Sequence, residues 1–185
     1  MTLINFLTRV HFADGVLEEA LHSEIEANKK KRPLVLSADA RYSNLSVERF
    51  YSGFPRRVDP IVFSDVPHLP TEKAAQEVAA LYENHDCDVL VAFGANHVID
   101  LAKTAAVAIT YSEPLQGFSL SEGGSRRISD NLPEIYAVPT LLGFPSAMTD
   151  YVRLTLENGR QAVLYSRDLI PRIAICDPTL TLGAT

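Results

Sequence analysis

The chain is expected to fold as an α/β domain, a parallel sheet with helices on both faces plus a separate β-hairpin. Three observations predict this. Its short strand candidates are apolar throughout rather than alternating, as in Pro33 to Ser37 and Val89 to Phe93, which is the signature of strands covered on both sides. These strands alternate with amphipathic helical stretches, the order that builds parallel sheets. Finally, Val152 to Thr155 and Ala162 to Tyr165 flank the turn sequence Glu157-Asn158-Gly159-Arg160, a strong hairpin signal.

Taken in order, Thr8 to Phe12 reads as a first strand. Val16 to Asn28 reads as a helix with Leu17, Ala20, Leu21 and Ile25 on one stripe. Pro33 to Ser37 is the second strand, Ser43 to Phe54 a helix and Ile61 to Phe63 a third strand. Thr71 to Glu83 is a helix with Thr71 as its N-cap and Ala74, Ala75, Val78, Ala79 and Leu81 or Tyr82 on its apolar face. Val89 to Phe93 and the Ala-rich helix Val98 to Ile109 follow. Ser112 to Asn131, rich in Gly and Ser, breaks the pattern and is expected to be an exposed loop or flap. Its Gly123-Gly124-Ser125-Arg126-Arg127 is conceivable as a phosphate grip, but no strand feeds it. Ile135 to Val138, the hairpin and Ile173 to Cys176 complete the set.

At 185 residues the chain can bury a core without metal or disulfide. With 46% hydrophobic and 22% charged residues and a mean hydropathy of +0.03, it is an ordinary globular composition. No apolar run approaches the roughly 20 residues of a membrane span, and the N-terminus carries no secretory signal, so a cytoplasmic location is the default. Cys87 and Cys176 lack metal or disulfide spacing and are expected to be reduced core thiols. A net charge of -6 opposes attraction to nucleic acid or anionic lipid. Lys29-Lys30-Lys31-Arg32 is expected to cap a helix C-terminus. The cluster His85-Asp86-Cys87-Asp88 has ligand types without ligand spacing and is expected to be structural.

The most informative stretch runs from Val89 to Lys103, a buried strand, a tight turn at Gly94-Ala95-Asn96-His97 and an amphipathic helix. Backbone N–H groups at such a helix start face an anion readily, and phosphates bind at such places. Gly94 to Lys103 looks like the Gly-Gly-Gly-Ser-x-x-Asp-x-Ala-Lys segment of the iron-containing (group III) alcohol dehydrogenases, a family allied to glycerol dehydrogenase and dehydroquinate synthase. Three further segments resemble the family in the same order. His11-Phe12-Ala13-Asp14-Gly15 sits at its Phe-Gly-x-Gly turn, Pro139 to Thr149 is similar to Pro-Thr-Thr-x-Gly-Thr-Gly-Ser-Glu-Val-Thr, and Leu169-Ile170-Pro171 through Asp177-Pro178-Thr179-Leu180-Thr181 is similar to Leu-x-Pro…Asp-Pro-x-Leu-Thr.

The resemblance implies a Rossmann-like, dehydroquinate synthase-like N-terminal domain over residues 1–185 that holds a nicotinamide dinucleotide. The cofactor-binding set it implies is Asp39, Gly94, Ala95, Asn96, His97, Asp100, Thr140, Leu141, Phe144, Ser146 and Leu180. The diphosphate would lie over Gly94 to His97, and the loop Thr140 to Ser146 would wrap the nicotinamide side. Asp39 stands where the family grips the adenosine ribose. A carboxylate there favours NAD, while nearby Arg41 leaves NADP open. An ordinary solvated loop carboxylate is the other reading of Asp39, and a strand-end hydroxyl bonding local backbone the other reading of Thr140. Asp100 and Lys103 form a helical i, i+3 pair, and Asp100 also stands where the family buttresses the phosphate turn.

The departures are as informative. Ala95, Asn96 and His97 replace two glycines and a serine, so side-chain bulk competes for the phosphate space; His97 either donates to the diphosphate or faces solvent. Phe144, Pro145 and Ala147 replace Thr, Gly and Glu. Family catalysis is attributed to iron or zinc held by one Asp and three His in a C-terminal helical domain, which this chain ends before, so no catalytic residue is named. The whole enzyme would interconvert a small alcohol with an aldehyde or ketone, as a homodimer or larger assembly. The rival is a non-catalytic binding protein derived from this fold. A self-contained enzyme of another kind is disfavoured, since no triad or paired-carboxylate signature is found.

Overall fold

In this computed structural model, residues 7–38, 44–129, 131–141, 143 and 145–182 are described. Asp39 and Phe144 of the expected cofactor set lie outside them. The elements are β1 (Arg9–Phe12), α1 (Leu17–Ala27), β2 (Pro33–Ser37), α2 (Asn44–Ser52), β3 (Ile61–Phe63), α3 (Glu72–Asn84), β4 (Val89–Gly94), α4 (Asn96–Thr110), β5 (Ile135–Pro139), β6 (Tyr151–Thr155), β7 (Gln161–Tyr165) and β8 (Ile173–Cys176). Six strands form one parallel sheet in the order β1-β8-β5-β4-β2-β3, and β6 and β7 pair antiparallel as the hairpin.

The apolar strands divide their side chains between two cores by simple alternation. Val35, Val89, Val91, Phe93, Tyr136, Val138, Ile173 and Ile175 point to one face, where α1 and α2 cover them through Leu17, Leu21, Ile25 and Phe50. Their neighbours Leu34, Leu36, Leu90, Ala92, Ile135, Ala137, Ala174 and Cys176 point to the other, under α3 and α4. Because both faces are covered, an apolar residue is needed at every step of a central strand, which is why no polar alternation is seen. The Phe50 ring stacks on Phe93 with centroids 4.2 Å apart, fixing α2 over β4.

Helix α3 starts as expected, with the Thr71 side chain accepting from the Ala74 N–H at 3.1 Å. Glu72, next in line, is buried and its two carboxylate oxygens accept from the N–H groups of Leu115 (2.7 Å) and Glu157 (3.0 Å). One carboxylate thus pins both the segment after α4 and the hairpin turn.

One expectation is corrected. Residues 112–129 are not an exposed flap, because Leu115, Phe118 and Ile128 are buried and Ser119 bridges to Leu164. A methyl group on Gly124 would meet Phe118 Cα at 2.4 Å, so glycine here serves close packing rather than flexibility. Nor is a phosphate grip available there, since Arg127 lies over the Phe118 ring, pairs with Glu113 and donates to the Gly117 carbonyl. The Lys29 to Arg32 run follows the end of α1, where the Lys29 and Lys30 N–H groups donate to the Glu26 and Ile25 carbonyls at 3.1 and 3.0 Å, although the last turn itself holds no basic residue. In addition, Lys30 pairs with Glu134 at 3.1 Å and donates to the Asp88 carbonyl, while the Lys31 and Arg32 N–H groups donate to the Asp88 carboxylate. The run clamps the start of β2 to the start of β4.

The His85 to Asp88 junction is structural, with Asp86 in a left-handed turn at φ 46° and Cys87 buried. Cys176 is buried too, and both thiols are free and pushed up in pKa by burial. Among the described residues no helix is long and apolar enough to cross a membrane.

Candidate functional site

In a parallel sheet the carboxyl ends of the strands form one rim, where ligands of open α/β folds collect. At that rim β4 and β5 end level with one another, Gly94 opposite Pro139, and the Thr140 N–H donates to the Gly94 carbonyl at 3.2 Å. Helix α4 begins at once. Its N-cap, Ala95, is extended (φ -76°, ψ 179°) and offers no side-chain acceptor, and the first turn holds no acidic residue. The positive end of a 15-residue helix therefore has neither a side-chain cap from Ala95 nor a carboxylate in its own first turn.

Beside it lies a cleft of about 530 Å³, lined among others by Ala95, Asn96, His97, Asp100, Leu141 and Ser146. Six of the residues expected from the sequence are thus brought together, and Gly94 and Thr140 stand immediately behind them. Leu180 is not; it packs in the buried cluster with Leu17 and Phe50, on the α1 and α2 face. Its apolar side chain is used by the core.

Two polar atoms here break the usual rule that buried groups are paired. Thr140 is 3% exposed and among the described residues its Oγ1 has no hydrogen-bond partner; the buried Oδ1 of Asn96 has none either. Among the described residues, then, no local backbone group satisfies the Thr140 hydroxyl.

The wall facing α4 is held by two polar links. Burial pushes the Asp100 carboxyl up from its ordinary pKa, partly offset by a hydrogen bond from Ser146 and by the Lys103 charge. Lys103 is fully buried, and rather than bonding Asp100 its Nζ donates to the Thr149 carbonyl (2.8 Å), the Thr149 Oγ1 (3.0 Å) and the Tyr151 carbonyl (3.4 Å). Burial lowers its pKa to about 8, against the opposing pull of Asp100 and Asp150. The i, i+3 pair expected from the sequence is an electrostatic neighbour, and the lysine's hydrogen bonds fasten the loop to the helix.

Sequence reasoning did not find His68 and Arg153, which line the same cleft from the segment before α3 and from β6. The His68 and His97 rings face one another with centroids 6.0 Å apart. Arg153 sits at an outward position of a half-buried strand, where an arginine gives no signal of its own. A second polar cluster at the rim is fully satisfied. Asp177, 2% exposed, accepts from the N–H groups of Gly15, Leu17 and Thr179, the Thr179 hydroxyl and the Arg49 guanidinium, which in turn pairs with Glu18. Gly15, at φ +72°, makes the turn that aims its N–H at Asp177.

Fold and cleft together define a parallel α/β domain with a cleft at the helix start after β4, at the carboxyl ends of its strands, where ligands of open α/β folds collect. The chain belongs to the iron-containing alcohol dehydrogenase family, whose model matches residues 8–178. It is 35% identical to a 4-hydroxybutyrate dehydrogenase of Cupriavidus necator over 99% of this chain and 47% of that protein. It is 28% identical to a 1,3-propanediol dehydrogenase of Citrobacter freundii over 68% of this chain and 32% of that protein. Among solved structures, sulfoacetaldehyde reductase from Bifidobacterium kashiwanohense in complex with NAD+ superposes with a TM-score of 0.84 at 22% identity, covering 99% of this chain and 48% of that one. An alcohol dehydrogenase from Oenococcus oeni gives 0.84 at 25% identity, covering 97% and 47%. The chain spans less than half the length of each of these relatives.

Proposed function

We propose that residues 1–185 are the dinucleotide-binding domain of an iron-containing alcohol dehydrogenase, and that the cleft at Gly94 to His97 and Thr140 to Ser146 holds NAD, with NADP as the alternative. The observation that carries this reading is the pair of buried, unpartnered atoms, Thr140 Oγ1 and Asn96 Oδ1, beside an uncapped helix start. Leaving a buried polar group unpaired costs about 1–3 kcal/mol, a cost a ligand would relieve.

When bound, the cofactor supplies or accepts the hydride that interconverts a small alcohol and its aldehyde or ketone. The chain's own residues do the positioning. The α4 amides face the diphosphate, Thr140 offers a hydroxyl as donor or acceptor, and Lys103 and the Asp100–Ser146 link hold the loop against the helix. Because a relative acts on 4-hydroxybutyrate, a short hydroxy acid is the first substrate to test. Among the described residues no three His, Cys, Asp or Glu side chains are grouped to hold a metal. We place the iron or zinc in a C-terminal helical domain of the full-length protein, and read that protein as a cytoplasmic homodimer.

The test is a fluorescence titration of NADH into this chain, with saturation expected at or below millimolar concentration. The second reading, a non-catalytic binding protein of this fold, is favoured by the side chains of Ala95, Asn96 and His97 where glycines and serine are expected, and a titration without binding would select it.

A further inference from the structure

The bulk that crowds the phosphate turn brings its own chemistry. His97 stands in the first turn of α4, and His68 faces it at 6.0 Å between ring centroids. The register of the hairpin carries Arg153 to the same wall. Thr155 bridges in parallel to Thr71, and its N–H donates to the Pro70 carbonyl at 2.8 Å, so Arg153, two residues earlier, runs level with the His68 to Leu69 stretch. Both histidines and Arg153 line the cleft, together with a single carboxylate, Asp100, which is held by Ser146. Arg153 is exposed, and among the described residues its guanidinium enters no ion pair or hydrogen bond. By contrast, Arg49 is committed to Glu18 and Asp177, Arg57 to Glu26 and Arg127 to Glu113.

We propose that His68, His97 and Arg153 form an oxyanion-binding cluster at the start of α4, with His68 and Arg153 facing His97 across the cleft. Resting on the dinucleotide reading above, we assign its occupant as the cofactor diphosphate. Glycines let a backbone approach phosphate closely; where Ala95 and Asn96 add side-chain bulk to the turn, N–H donors on neighbouring side chains would reach the anion instead. A guanidinium suits this task, since its fork of donors matches paired phosphate oxygens. The unpartnered Oδ1 of Asn96 lies on the same side of the cleft and would accept from a ribose hydroxyl next to the diphosphate. A carboxylate on the substrate shares the oxyanion chemistry, and the test separates the two sources.

The experiment is a set of titrations of NADH, ADP-ribose, inorganic pyrophosphate and 4-hydroxybutyrate into the wild-type chain and into Arg153→Gln and His68→Gln, at low and high salt. The proposal expects Arg153→Gln to weaken NADH, ADP-ribose and pyrophosphate each by about five- to tenfold and to flatten their salt dependence. His68→Gln should weaken them about threefold. NADH binding that is unchanged in both variants overturns the cluster and leaves the dinucleotide reading standing. Loss confined to 4-hydroxybutyrate overturns the diphosphate assignment and gives the cluster to a substrate carboxylate. Arg153-dependent binding of pyrophosphate with no binding of NADH upholds the cluster and overturns the dinucleotide reading. Arg153 is exposed and unpaired, so its variant is expected to fold; a circular dichroism melt within a few degrees of wild type checks this.

Discussion

Two corners of one rim, both following parallel strands, handle buried polar groups in opposite ways. After β8, Asp177 is buried and saturated, with donors from Gly15, Leu17, Thr179 and Arg49. After β5 and β4, Thr140 and Asn96 are each left with a buried atom that has no partner among the described residues. The difference separates a corner used as architecture from the corner that the proposed cofactor would occupy. Asp177 caps α1 from 160 residues away, closing the early turn onto the last strand. The β4 to α4 turn closes nothing and faces a cleft.

The sharpest way to break this contrast is to remove one group from each corner. Asp177→Ala strips a buried carboxylate from its donors and leaves Arg49 and Glu18 to rearrange, a loss of about 3–5 kcal/mol in urea unfolding. Thr140→Val removes a hydroxyl that has no partner, so without ligand it should leave stability unchanged or raise it by about 1 kcal/mol, while weakening NADH about tenfold. A Thr140→Val that destabilised by as much as Asp177→Ala would erase the distinction.

Acid separates the corners as well. Burial alone would raise the Asp177 pKa, but the bonds from Thr179, Gly15 and Arg49 outweigh it and hold the group at about 2. A carboxylate depressed in the fold stabilises it above the unfolded value of about 3.9, and that contribution is lost as pH falls toward the folded value. The wild type should therefore lose stability steeply below about pH 4, and Asp177→Ala should show a shallower loss when urea midpoints are followed against pH.

Lys103 gives a slope of the same sign at the alkaline end, and a smaller effect. With its folded pKa lowered to about 8, the folded chain sheds this proton before the unfolded chain does, so stability should rise between about pH 8 and about 10. Lys103→Met should abolish that rise. The smallest change is Ala95→Gly. Glycine is tolerated at an N-cap better than alanine by a few tenths of a kcal/mol, and removing the methyl widens the turn, so NADH should bind about twofold tighter with stability nearly constant.

Much of the architecture is legible in the amino-acid sequence. Every strand and helix falls within two or three residues of its expected place, because apolar runs and 3.6-residue stripes are dictated by burial on two faces. The 112–129 segment was misread since its Gly and Ser content resembles a loop, while its order rests on two apolar anchors, Leu115 and Phe118, that composition does not reveal. The role of Glu72 was invisible for a related reason, as a carboxylate in a first helical turn reads as an ordinary dipole partner. At the site, the motif residues Gly94, Ala95, Asn96, His97, Asp100, Thr140, Leu141 and Ser146 do gather at one rim. Leu180 does not, because an apolar side chain carries no information about which face it serves. His68 and Arg153 come from segments that only the β6 bridge to Thr71 brings together, a contact that local pattern does not encode.

The measurement closest to the central claim is the change in backbone amide chemical shifts as NAD+ is added to the isotopically labelled chain. Shifts concentrated at residues 95–97 and 140–146, with Gly15, Leu17 and Thr179 unmoved, are the result the account predicts. A response centred on the Asp177 corner, or none at saturating concentration, would contradict it.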